Sequence, residues 1–244
     1  MSNPILNNNR FFSQDAVIQD EPMTINGAFN KIFMLFICLL AGAGISLYFL
    51  FTGNAAYSTA LMTFGAIIAF ILVIVTTFKI SLAKYTAAPY ALCEGFAIGG
   101  ISALFESVYH GIIIQAILST FAVLFIMLML YKAKAIQYTD KFAATLKTGL
   151  LSILFVYLIQ FILSLFGKGI PGIFESGIIG IGFSLIVIVF AAMALIQDFF
   201  FIEEASNRML PKELEWYAAM GLMITLVWLY TEILRLLAKL NSRR

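Results

Sequence analysis

An all-α integral membrane protein, a bundle of seven transmembrane helices, is what the sequence predicts, and three observations predict it. Of 244 residues, 62% are hydrophobic and 11% are charged, whereas a water-facing globular surface needs roughly 25% charged residues. Mean hydropathy is +0.99, so most of the chain faces lipid or buried protein. Stretches such as AIIAFILVIV, starting at Ala66, are apolar on every face, which excludes the alternating strands of a membrane barrel.

A helix crosses the hydrocarbon layer in about 20 apolar residues, and seven runs are long enough. They are Ile32 to Phe51, Tyr57 to Phe78, Ala87 to Val108, Ile112 to Tyr131, Thr145 to Phe166, Gly177 to Phe201 and Trp216 to Ala238. Residues 1–31 are polar, with Asn7, Asn8 and Asn9 in a row, and lack the basic start and apolar core of a cleaved secretory signal. They are expected to form a disordered cytoplasmic tail, with residues 32–244 as a single transmembrane domain.

Orientation follows from the loops. The segments after odd-numbered spans hold one basic residue, Lys168, while the opposite side gathers Arg10, Lys31, Lys79, Lys84, Lys132, Lys134, Lys141, Arg208 and Lys212, with Lys147 just inside span five. Basic residues of short loops stay in the cytoplasm, which puts the N-terminus there in the cell (inner) membrane. Seven crossings then export the C-terminus, against which Lys239, Arg243 and Arg244 speak; a re-entrant last segment with a cytoplasmic C-terminus is the alternative.

The informative residues of so apolar a chain are the charges inside its spans, each of which needs a partner. Glu94 lies in span three, Asp198 near the cytoplasmic end of span six, and Glu232 and Arg235 toward the outer end of span seven. At 1.5 Å per residue Glu94 is roughly 10 Å and Asp198 roughly 5 Å from the cytoplasmic boundary. Both carboxylates can therefore share one level of the bundle. Two acids in a low-dielectric site cannot both ionise cheaply, so such a pair senses protons, or holds a hard cation such as calcium when ionised. Glu232 and Arg235 are three apart on one helix face and read as an internal ion pair. Glu106 and His110 read as outer-surface groups, Cys38 and Cys93 as packing residues, and the GxxxG pair Gly95 and Gly99 as a close helix contact within the bundle.

Catalytic constellations are missing. One histidine excludes a HExxH site, two separated cysteines exclude a zinc cluster, and no GxxxxGK[ST] loop exists. Ser184, in GIIGIGFS, has no histidine in a span to activate it, and span seven has no lysine between Trp216 and Leu237 to carry a retinal. A net charge of +2 leaves no basic stripe for nucleic acid. No enzyme is expected.

The stretch YALCEGFAIGGISALFESVYHGIIIQAILSTFAVLFIMLMLYKAKAIQ from Tyr90, and EWYAAMGLMITLVWLYTEILRLLAKL from Glu215, resemble bacterial membrane proteins of the Bax inhibitor-like, YccA-like family, also called the transmembrane Bax inhibitor motif family. The resemblance runs from about Met23 to Leu240, and its closing LYTEILRLL block is the more specific part. It implies seven helices with the last at the centre of a ring of six, and a pH-sensitive calcium leak controlled by two aspartates on spans six and seven. The first carries over to Asp198, in IQDFFFIEEA; where relatives carry the second, ten residues before the arginine of the LRLL block, this chain has Thr225. Relatives also place an acid in span two, which has none here. Glu94 is accordingly expected to be the second carboxylate, facing Asp198 across a shared cavity, with Thr225 as a hydrogen-bonding neighbour. The expected function is a pH-sensitive cation (calcium) leak or exchanger gated by intramembrane carboxylates. The alternative is an interaction protein that presents its tail to a membrane quality-control protease, as the resemblance also implies.

Overall fold

The computed structural model describes residues 21–243. Seven helices are long and apolar enough to cross a membrane: α1 Ile25–Phe51, α2 Ala55–Phe78, α3 Ala83–Val108, α4 Ile112–Lys132, α5 Asp140–Leu165, α6 Ile178–Asn207 and α7 Leu214–Asn241. A single 3₁₀ turn, Ile80–Leu82, joins α2 to α3.

Most ends lie beyond the apolar runs, because the polar residues that stop hydropathy do not stop a helix whose ends find partners. The α1 start moves from Ile32 to Ile25, where Thr24 caps it by accepting from Gly27 N at 3.0 Å. The boundary expected at residue 31 therefore falls inside α1, and the disorder expected of the tail concerns residues 1–20, outside the described residues. In α6 the helix continues past Phe201 to Asn207, with Glu203 accepting from the Tyr131 hydroxyl and Glu204 paired to Arg208 at 2.6 Å. Thirty residues span about 45 Å against a hydrocarbon core of about 30 Å, so these two acids stand beyond it.

Helix α7 is central. It packs against α1, α3, α4 and α6, whereas α2 lies chiefly on α1 and α3, and α5 chiefly on α6. The ring around α7 is thus open between α2 and α5. The tightest contact joins α1 to α3: a Cβ on Gly42 would stand 2.3 Å from Leu92 O, one on Gly95 2.2 Å from Leu39 O, and one on Gly99 2.6 Å from Ala43 O. The GxxxG pair therefore serves packing within the bundle. On the other flank the Phe190 ring of α6 lies over Gly149 of α5.

The start of α1, the α2–α3 junction and the α6–α7 turn meet at one end. Lys31 pairs with Glu215, Lys84 with Glu213 at 2.6 Å, and Lys212 with Glu21. Met23 N donates to Leu210 O at 2.7 Å, beside a bridge from Pro22 to Pro211. An odd number of crossings follows, with the far end of α7 on the opposite side.

Close packing makes a stability prediction. Gly95→Leu should destabilise the bundle by about 1–3 kcal/mol or more, since backbone rather than side chain must yield. Gly44→Ala, with no atom within 4 Å of the new Cβ, should be neutral. Thermal unfolding of the purified protein in detergent separates the two.

Candidate functional site

Burial in a low-dielectric interior obliges every polar group to find a partner, and the polar side chains of α7 find theirs on different neighbours. Glu215, 0% exposed, accepts from Thr24 N at 2.8 Å, Thr24 Oγ1 at 3.2 Å and the Lys31 ammonium. Tyr230 and Ser102 of α3 share a hydrogen bond of 2.8 Å. Glu232, buried, accepts from Arg235 Nη1 at 2.7 Å and from the Tyr157 hydroxyl of α5 at 2.8 Å, and Arg235 also donates to that hydroxyl at 3.0 Å. The ion pair read from the sequence is therefore present, and it holds α5, which scarcely touches α7 otherwise, against the central helix.

Lys239 is the residue the sequence reading misplaced. Counted there among exported tail charges, it is buried, and its ammonium donates to Ile173 O at 3.2 Å, Gly180 O at 2.9 Å and Ser184 Oγ at 3.0 Å. It fastens the C-terminal end of α7 to the α6 entry and does not belong in a count of free loop charges. Glu106, read as a surface group, accepts from Gly111 N at 2.6 Å and Ile113 N at 3.1 Å and so caps α4.

Asp198 breaks the pattern. Its Oδ2 is buried and, among the described residues, the one side-chain atom recorded as buried without a hydrogen-bond partner. Thr225 of α7 lies beside the Asp198 carboxyl group, and its Oγ1 donates to Gly221 O at 3.3 Å. A cavity of about 250 Å³ lies against Asp198, walled by Val73, Thr76 and Thr77 of α2, Tyr138 of the α4–α5 link, and Tyr217, Gly221 and Ile224 of α7. That volume has room for several waters. Tyr138, stacked on Phe200 with ring centroids 4.5 Å apart, forms its rim.

Glu94 is not where the sequence reading put it. Both acids stand at comparable distances from the helix ends on that side, roughly 16 Å along α3 for Glu94 and roughly 14 Å from the end of α6 for Asp198. Yet Glu94 lines a separate cavity of about 550 Å³ with Tyr90, Tyr157, Thr231, Glu232 and Arg235, whereas Asp198 lines the first. The pairing, and a calcium site made by Asp198 with Glu94, are therefore not assembled. Equal depth leaves open the position around the bundle axis, and α7 comes between the two. No group of three or more His, Cys, Asp or Glu that could hold a metal exists among the described residues.

A seven-helix membrane protein with a half-satisfied carboxylate beside its central helix is the class that fold and site define. A family model described as Bax inhibitor 1 like matches residues 3–242, and the chain belongs to that family. No curated protein matches it.

Tyr157 was missed in the sequence, where its hydroxyl is one of several in its span and nothing there marks it as the partner of Glu232. Truncating its acidic partner tests the network: Glu232→Ala should cost about 2 kcal/mol, less than a fully buried pair because the Arg235 side chain is 37% exposed. Glu232→Ala combined with Arg235→Leu should recover part of the loss, read as denaturation midpoints in detergent.

Proposed function

We propose that this protein is a pH-sensitive cation leak or exchanger of the cell (inner) membrane, with calcium as cargo and the protonation state of Asp198 as its gate. The observation that carries the reading is the Asp198 Oδ2 left without a partner against a cavity that can hold water. The charged side chains buried on α7 meet the cost of burial with a bond; a carboxylate oxygen left open on α6 suits a group whose partner comes and goes.

Thr225 makes the exchange of states cheap. Its single hydroxyl hydrogen can point to an ionised Asp198, or to Gly221 O while the oxygen accepts the proton of a neutral Asp198. Both states keep one bond, and only the ionised state exposes a charge to the cavity, where a hydrated cation could meet it. The groups facing Asp198 are neutral: Thr225 and Tyr217 from α7, Thr76 and Thr77 from α2, and Tyr138 from the α4–α5 link. No other charged residue lines this cavity among the described residues. A cytoplasmic N-terminus is supported by Lys31, Lys84 and Lys212 meeting at one end of the bundle and by the internal use of Lys239, which weakens the tail's objection.

Flux of calcium into liposomes loaded with a fluorescent indicator, measured between about pH 5 and 8, tests this. Asp198→Asn should flatten the pH profile, and Thr225→Asp, which gives the cavity two acids, should steepen it. Glu94→Gln should lower flux without moving the pH midpoint, since Glu94 lines a different cavity from Asp198. A wild-type protein that passes no calcium at any of these pH values refutes the leak and leaves the protease-interaction reading of the tail.

A further inference from the structure

We propose that the cavity between α1, α4 and α6 at the N-terminal end of the bundle is a binding site for a phospholipid whose headgroup carries a phosphate and a primary ammonium. Neither its geometry nor its test depends on ion flux.

The cavity measures about 480 Å³, within the roughly 300–1,000 Å³ of small-molecule sites. Its walls are graded. On α4, Leu128 lies four residues, roughly 6 Å, inside Lys132, and on α6, Phe199 lies the same distance inside Glu203. Ile25 and Phe29 of α1, 38% and 41% exposed, complete the apolar part. Because Glu203 stands beyond the hydrocarbon core, the change from apolar to charged falls at the level of the headgroups. A small soluble ion has no use for the apolar floor, whereas a lipid needs both parts at this height.

The charges choose the headgroup. The ammonium groups of Lys132 and Lys134 have no ion pair or hydrogen bond among the described residues, so a phosphate meets two uncommitted cations. Lys134 holds φ 55, in the left-handed region that favours glycine, while Ala135 N closes α4 on Leu130 O at 3.0 Å. A lysine kept where glycine would be less strained points to a use for its side chain. Acids stand beside the lysines. Glu204 is paired with Arg208 at 2.6 Å, whereas Glu203 accepts from the neutral Tyr131 hydroxyl and has no cation paired with it among the described residues. A headgroup with phosphate alone brings a second negative charge beside Glu203. One that adds an ammonium sets it against that carboxylate, with N–H groups to donate. Tyr138 and Phe200 wall this cavity on one side and the Asp198 cavity on the other, so the two sites adjoin without sharing a charged residue.

Native mass spectrometry of the full-length protein in detergent, titrated with phosphatidylethanolamine, phosphatidylglycerol and phosphatidylcholine of identical acyl chains, tests the site. The wild type should bind phosphatidylethanolamine roughly tenfold more tightly than the other two, the effect of one charge-assisted hydrogen bond. Lys132→Ala combined with Lys134→Ala should weaken all three lipids by roughly tenfold, and Lys79→Ala, at the same end but outside the cavity, should change none. Glu203→Gln should bring phosphatidylethanolamine down to the level of phosphatidylcholine and leave phosphatidylcholine where it was. Lys132, Lys134 and Glu203 are exposed, so thermal unfolding in the same detergent should not shift. Equal binding of the three lipids by the wild type, or phosphatidylethanolamine binding that survives the loss of both lysines, overturns the site. Tighter binding of phosphatidylglycerol than of phosphatidylethanolamine overturns the ammonium contact and with it the proposed headgroup. Displacement of phosphatidylethanolamine by inorganic phosphate at equal concentration overturns the lipid, since the phosphate alone would then carry the affinity.

Discussion

The cost of burying charge around the central helix is the constraint on which the rest of this structure depends. In water, an exposed ion pair is worth little and its geometry is loose. In a low-dielectric bundle, each polar side chain that lacks a partner costs several kcal/mol. Helix α7 carries Glu215, Thr225, Tyr230, Glu232, Arg235 and Lys239, and their partners lie on α1, α6, α3, α5 and the α6 entry in turn. Because lipid is as apolar as leucine, hydrophobicity alone does not tell one helix which neighbour to choose. The polar bonds of α7 do, and they fix its rotation and its height at once.

Small residues and polar bonds divide the remaining work unequally. On one flank Gly42, Gly95 and Gly99 bring α1 and α3 into backbone contact, a contact with little freedom. On the other flank α5 leans on α6 through Gly149 and reaches α7 through Tyr157. Of the outer helices α5 is therefore the one most dependent on a few side chains, while α2 is held along α3 through Gly65 and Thr76.

Number, order and approximate place of the helices were legible in the sequence, because about 20 apolar residues in a row have few other uses. The ends were not. Polar residues such as Asn26, Asn30 and Lys31 lower hydropathy, yet they continue α1, whose cap at Thr24 depends on Glu215 nearly two hundred residues away. Asp198 was legible as a candidate because a charge in a span is rare, and Thr225 as its neighbour because the family resemblance aligned it. The Glu94 error has a definite cause. Position along a helix can be counted from sequence, but position around the bundle needs an apolar stripe, and helices apolar on every face have none. The same gap hid Lys239, whose place at the end of a hydrophobic run looks like a solvated tail until its three acceptors are seen.

Thr225 changes what the site can do. Two facing aspartates would share one proton, and their titration would belong to the pair. An aspartate facing a threonine has one ionisable group, so the site takes up or releases at most one proton, and its pH dependence can be no steeper than that of a single group. A hydroxyl also cannot add negative charge, so a divalent cation meeting ionised Asp198 would be half-neutralised at most and would keep much of its water. Tight binding is thereby disfavoured, which suits a route through which ions pass more than a site in which they stay. Glu94, at a similar height but in a different cavity, does not restore beside Asp198 the second charge that Thr225 lacks.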